Sequence, residues 1–329
     1  MQDTDRKIST DRSSPGLELI CEDFGGALEL LRDAGFRLDV IYPADEPRAA
    51  ILSFDGRTVR LKTPDAPKLH CSLPPFEAEF VLTKPGSSSI EGRAGMIYRD
   101  LILSRLGGRY ISSHITITDA GPVADWVHYH RIAVQMIYAH RGWVRLVYDG
   151  EGEPFVMNEG DIVLQPPKIR HRVLESSAGL EVIEITAPAV HETLADHELA
   201  LPNEARGNSD YLGQHFVHHL AAGTPWTSFC GGEAQETAMK WASNGLLDVR
   251  TIRGGADQMS FAPHDGELVF GLVLDGTAKL EFGNGFNLSN ADAFVVPPQQ
   301  GWRLRAMSSD FRLLHVTTTR LDAAPQCLL

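Results

Sequence analysis

Two stretches of this chain answer to each other. LQPPKIRHRVLE (164–175) and VVPPQQGWRLRA (295–306) each leave an apolar run, break at a double proline and resume in an alternating run. Each is embedded in a series of short runs rich in Val, Ile, Leu and Tyr. Over 96–190 these are LILSRL, YISSHITIT, IAVQMIYAH, WVRLVYD, PFVMN, DIVLQ, HRVLE and LEVIEIT. Over 246–319 they are LLDVRTIRG, LVFGLVL, TAKLEFG, FNLS, DAFVVPP, WRLRAM and FRLLHVTT. Gly, Asp, Asn or Pro separates them. Short apolar strands with turn residues at regular spacing make a sandwich or barrel. The shared grammar reads as an internal duplication of one barrel unit.

The rest of the chain reads differently. Residues 1–15 are polar and read as a disordered tail. Residues 16–95 read as a βαβββ extension followed by a linker: strand 17–21, helix 22–35, and strands 36–42, 48–54 and 57–62. Phe24, Ala27, Leu28 and Leu31 fall at helical spacing, and Gly35 is placed to end the helix. Asp55-Gly56 predicts a hairpin turn. From 63 to 95 the chain is rich in Pro, Gly and Ser and reads as a wrapping linker. Residues 191–245 read as a connecting segment, with HETLADHELAL as a short helix and YLGQHFVHHLAAG as strand and turn.

Composition narrows the partners. Net charge is -13 with no long basic run, which argues against nucleic acid and against an anionic membrane surface. The four cysteines, Cys21, Cys71, Cys230 and Cys327, form no CxxC pair and fit a reducing cytoplasm. The first residues lack an apolar signal region, and no apolar run is long enough to span a bilayer. The expectation is a cytoplasmic protein whose partner is a small molecule.

The chemistry centres on GPVADWVHYHRIAVQMIYAHRG (121–142). His128 and His130 are one residue apart on a strand, so both side chains project from one face and can present two imidazoles to one point. With 13 histidines in 329 residues, one such pair also arises readily by chance, as two ordinary strand histidines. The context adds weight. GDIVLQPPKIRH (160–171) carries a third histidine, His171, just after an apolar strand and two prolines. Neutral imidazoles suit divalent Fe, Ni, Cu and Zn.

These stretches resemble the two signature motifs of the cupin superfamily. The first motif reads here Gly121, His128-Tyr129-His130, Gln135 and Gly142. The second reads Gly160, Pro166-Pro167-Lys168 and His171. The resemblance implies a mainly β fold of two jelly-roll-like cupin barrels, one at 96–190 and one at 246–329, with a small α+β extension. It implies a metal in the mouth of the first barrel, held by His128, His130 and His171 with Gln135 beside it. Two positions depart from the pattern. Lys168 replaces a turn glycine. Gln135 replaces a glutamate, so the position brings no negative charge and the metal stays more electrophilic. The βαβββ extension is similar to one half-module of the glyoxalase-like fold, and is expected to act as a packing unit or a lid.

In the second barrel the same spacing places Ala262 and His264 at the first-motif histidines, with Glu267 as a possible carboxylate, Gly276 at the hairpin and Trp302 at the position of His171. That set is too poor for a metal, and Trp302 is expected to fill the former cavity. His114 is a candidate contact beside the metal or substrate. Tyr129 should face away from the histidines, and Arg170 and Arg172 should lie on the outer face. Tyr138 and Arg145 are within possible reach of the cavity. His215, His218 and His219 cluster without an acidic or cysteine partner.

The function expected is a metal-dependent cupin enzyme acting on a small organic molecule, with a non-haem Fe(II) dioxygenase first among the reaction classes. Ni, Mn, Zn and Cu are the other metals considered. The alternatives are a metal-assisted isomerase or lyase, and a non-catalytic binding cupin. By the same resemblance the chain is expected to form a homodimer.

Overall fold

In a computed structural model of the protein, residues 16–69, 72–86, 89–207, 209–255 and 257–321 are described. The expected tail at 1–15 lies outside them, as do Cys71 and Cys327. The two halves fold as two β-barrels, each from a pair of facing sheets. In the first, strands His128–His130, His171–Ser176, Trp143–Tyr148 and Phe155–Asn158 share one sheet. Ile162–Leu164, Val134–Arg141, Leu180–Ala187 and Ile111–Ile117 form the other. The second barrel repeats this with Gln258–Phe261, Trp302–Arg305, Thr277–Phe282 and Asn284–Ser289 against Ala293–Val295, Val269–Asp275, Arg312–Thr318 and Leu247–Arg253.

The repeat extends to irregularities. The register shifts at Ala139/Arg141 in one barrel and at Val273/Asp275 in the other. A glycine with positive φ follows each, Gly142 (+76°) and Gly276 (+73°), where an L side chain would be strained. A serine hydroxyl then accepts from the next backbone N–H: Trp143 N to Ser177 Oγ at 3.0 Å, and Thr277 N to Ser308 Oγ at 2.8 Å. Lys168 has φ +63° and Gln299 has φ +60°. The lysine therefore adopts the left-handed turn that a glycine would take at no cost.

The linkers are part of the barrels. Val81–Thr83, ahead of the first barrel, pairs with Ala293–Val295 of the second. Val217–His219, ahead of the second barrel, pairs with Ile162–Leu164 of the first. Each barrel thus lends its leading strand to the other. Between them runs one continuous apolar core, with Met136, Tyr138, Ile183 and Ile185 on one side and Phe270, Leu272, Leu314 and Val316 on the other. A buried ion pair crosses the same junction. Arg109 holds Glu267 through two hydrogen bonds of 2.9 and 2.6 Å, and the Tyr110 hydroxyl adds a third at 2.9 Å.

The N-terminal unit has the expected order βαβββ. Helix Phe24–Asp33 starts at Asp23, whose side chain accepts from Gly26 N at 2.9 Å. Asp55 and Gly56 both have positive φ, +47° and +72°, as a tight hairpin turn requires. Its strands are not a separate layer. Arg37–Tyr42 pairs with Thr193–Ala195, which pairs with His128–His130, so one sheet runs from the extension into the first barrel. That pairing overturns the helix expected in HETLADHELAL: the segment is a bridging strand, because two sheet edges flank it. LILSRL is also not a strand. Ile97–Asp100 takes that role, and Leu101 and Ile102 enter the core from a turn.

Candidate metal centre

His128, His130 and His171 come together in the first barrel. One nitrogen from each lies within 4.8 Å of the others, a group that could hold a metal ion. The sheet explains the convergence. His128 and His130 share a strand face, and His128 is the cross-strand partner of His171. The His128 and His171 rings are 4.1 Å apart between centroids. Tyr148 stacks on the other side of His171 at 5.4 Å.

The donor set suits a metal. Nδ1 of His128 donates to the Trp126 carbonyl at 2.7 Å, and Nδ1 of His171 to the Ile169 carbonyl at 3.1 Å. Nδ1 of His130 lies 3.3 Å from Thr193 Oγ1, which can accept its N–H. A proton on Nδ1 leaves Nε2 as a lone pair, as in histidines that ligate metals; in His128 that lone pair accepts from Arg93 at 3.2 Å, a contact a metal would have to displace. All three side chains are buried, at 0 %, 6 % and 4 % exposure. Burial pushes their pKa values down, that of His171 to about 4 and those of His128 and His130 well below the usual range. The rings are therefore neutral at physiological pH, the form that binds metal.

Several neighbours were not legible in the sequence. Arg93, from a turn of the preceding linker, is buried; it forms an ion pair with Asp125 and donates to His128 Nε2 at 3.2 Å. Burial opposes the Arg93 charge, and Asp125 overrides it and raises the pKa. Arg93 Nε and Trp126 Nε1 are both buried without a hydrogen-bond partner. His191 stands 5.4 Å from His130, with its Nδ1 donating to the Pro188 carbonyl. No HxH spacing marks these residues. They arrive from a turn and two loops.

Gln135 lies in a chain of amides. The Tyr148 hydroxyl donates to Gln165 Oε1 at 2.9 Å, and Gln165 Nε2 donates to Gln135 Oε1 at 2.7 Å. The Gln135 amide in turn hydrogen-bonds Glu184, a carboxyl whose pKa is raised by burial. The Gln135 oxygen thus already has a donor, and a carboxylate that the sequence reading lacked stands next to it.

Other candidates are dispersed. His114 bonds Glu181 at 2.9 Å and Arg99 at 3.1 Å and lies edge-on to His140, so the structure does not bring it to the histidine group. Tyr138 is in the core between the barrels, and Arg145 pairs with Glu175 in solvent. Tyr129 carries the Arg170 guanidinium over its ring at 4.3 Å, away from the histidines. His218 bonds Asp161, His219 bonds Thr224, and His215 stacks on Trp241.

The second barrel needs a correction of register. Trp302 pairs across the sheet with Phe261, not Ala262, and Phe261 therefore stands where His128 stands. The two rings stack at 3.7 Å and 1°. The connection to the next strand is one residue longer here, and one residue of slip reverses every side chain. Ala262 is exposed, and Glu267 belongs to the junction with Arg109. Trp302 does not fill the space: a cavity of about 310 Å³ remains beside it.

No family model matches the chain, and no curated protein matches it. Solved structures do. Oxalate decarboxylase from Bacillus subtilis matches over 76% of this chain and 78% of its own, with TM-score 0.55 and 10% identity. A second structure of that enzyme, concerned with its Mn(II) centres, matches with TM-score 0.54 and 13% identity over 76% and 79%. Protein YlbA from E. coli matches over 75% of this chain and 93% of its own, with TM-score 0.54 and 12% identity. Among the described residues no helix is long and apolar enough to cross a membrane. Paired barrels, matching turns and these neighbours together make the fold of this chain that of the bicupins, two cupin barrels in one chain.

Proposed function

We propose that the chain is a metal-dependent cupin enzyme acting on a small organic anion, with Fe(II) dioxygenase chemistry as its reaction class. The observation that carries this reading is the convergence of three neutral imidazoles whose Nδ1 sides are already tied. His128, His130 and His171 hold the metal, which supplies an electrophilic centre and, as iron, one-electron redox chemistry. Arg93 sets the charge of the substrate. A metal on His128 Nε2 would displace the Arg93 N–H that now bonds it, and that N–H together with the unpartnered Nε can hold a carboxylate or enolate oxygen beside the centre. Asp125 fixes the guanidinium and also accepts from Val173 N at 2.9 Å. Glu184 is the group to move a proton, since its raised pKa brings it towards the working range of a general acid or base. Gln135 orients Glu184 and adds no charge of its own beside the three neutral imidazoles.

A second reading is a metal-assisted lyase or isomerase. It is favoured by the Bacillus neighbour, a decarboxylase with Mn(II) centres. The test is elemental analysis of the purified protein, followed by oxygen uptake and carbon dioxide release with small carboxylates and diketones. Iron and oxygen uptake support the first reading. Manganese with carbon dioxide release and no oxygen uptake supports the second. A protein that holds no metal and takes up none from Fe(II), Mn(II), Ni(II) or Zn(II) overturns both.

A further inference from the structure

The cavity of the second barrel lies where the first barrel keeps its histidines. Its lining includes the rings of Phe229, Phe261 and Trp302, with His315 packed against all three at 5.5–6.3 Å between centroids, and the cations Arg250 and Lys240. Its volume of about 310 Å³ is at the small end of ligand sites, which run from about 300 to 1,000 Å³. Two of the polar groups are left without partners. Nδ1 of His315 and Nε of Arg250 are buried and make no hydrogen bond. Orphaned buried polar atoms are rare in native proteins and call for an explanation, an ordered water or ion among them. Arg250 stands between two carboxylates, with Glu236 at 3.8 Å on one guanidinium nitrogen. Asp248 also lines the cavity and pairs with Arg250 at 2.8 Å, and Lys240 adds a second cation at the rim. Arg250 is held in place on its other face by Phe229, whose ring centroid is 4.9 Å away.

We propose that the second barrel is a metal-free binding site for a small one-ring aromatic carboxylate. The ring lies beside the Phe261–Trp302 stack, and the carboxylate faces Arg250 and Lys240, with His315 beside it. Apolar walls with a few convergent polar groups are what such a ligand requires. The site takes no ligand atom from the histidine group, so it stands or falls apart from the metal reading.

The test is ligand-observed NMR on the full chain with benzoate as the probe and toluene as its uncharged counterpart. Benzoate should bind and toluene should bind at least tenfold more weakly. Ala262→Trp, which adds bulk at an exposed lining position, should abolish binding. Arg250→Gln should weaken it about tenfold. A His128→Ala/His171→Ala double variant should bind benzoate as the wild type does. Benzoate should also slow alkylation of Cys230, another lining residue, by iodoacetamide. The proposal is overturned if benzoate fails to bind the wild type, if Ala262→Trp binds it unchanged, or if only the double histidine variant loses it.

Discussion

The two barrels share a backbone and differ in what they bury. At one cross-strand pair the first has His128 and His171 and the second has Phe261 and Trp302. Gln135 pairs with Thr186, and Val269 pairs with Thr317, so the amide of one barrel is an aliphatic side chain in the other. Glu184 lies opposite Ile137 as His315 lies opposite Gly271. A barrel interior needs only volume and satisfied polar atoms. The second barrel fills part of that volume with aromatic stacking and leaves a cavity beside Trp302. The first ties most of its buried polar atoms in a chain of amides and imidazoles and leaves Arg93 Nε and Trp126 Nε1 without a partner. Buried polar side chains are concentrated in the first half.

The sharpest way to break this comparison is to remove the imidazoles. His128→Ala/His171→Ala should take metal content from about one ion per chain to near zero by elemental analysis. The same protein should keep its fold, because the neighbouring barrel supplies the shared core. Next in size is the junction. Arg109→Ala leaves Glu267 buried and uncompensated, and urea unfolding should show a loss of about 3–5 kcal/mol. A similar change in the second barrel is Trp302→Ala, with an expected loss of about 3–5 kcal/mol from the cavity it leaves, and no change in metal content.

Gln135→Glu sharpens the comparison from the other side. It restores a carboxylate but places it against Glu184, so an acceptor faces an acceptor. One of the two carboxyls should then hold a proton. Metal retention in dialysis should exceed wild type at high pH and fall towards it as pH drops. The smallest effect concerns acid stability. Burial first, then Arg250, lowers the pKa of His315 from 6.5 to about 3. The neutral ring is favoured by folding, so this contribution is complete above 6.5 and is lost as pH falls towards 3. His315→Gln should flatten that part of the stability profile, measured by urea unfolding from pH 7 down to pH 4.

How much of this the sequence carried depends on distance along the chain. His128 and His130 are legible because a strand face is set by a spacing of two. His171 is legible because its turn repeats a pattern. Arg93, Asp125 and Glu184 are not, because nothing local ties a buried arginine in a turn to a histidine on a strand. The strand at Thr193–Ala195 was hidden in the same way, since its pairing partners, not its own residues, decide its conformation. The placement of Ala262 failed for a smaller reason. Counting from Gly276 assumes loops of equal length, and one extra residue moved Phe261 into the site.

The exchange of leading strands has a consequence for dissection. A cut in the segment near 205–210 would not release two complete barrels. One piece would lack the strand Val217–His219, and the other would lack Val81–Thr83. Each would expose an unpaired sheet edge whose only matching strand is on its sibling. The chain is therefore a duplicate that can no longer be divided. Each half is the scaffold for the other's last strand, and a change in either reaches both.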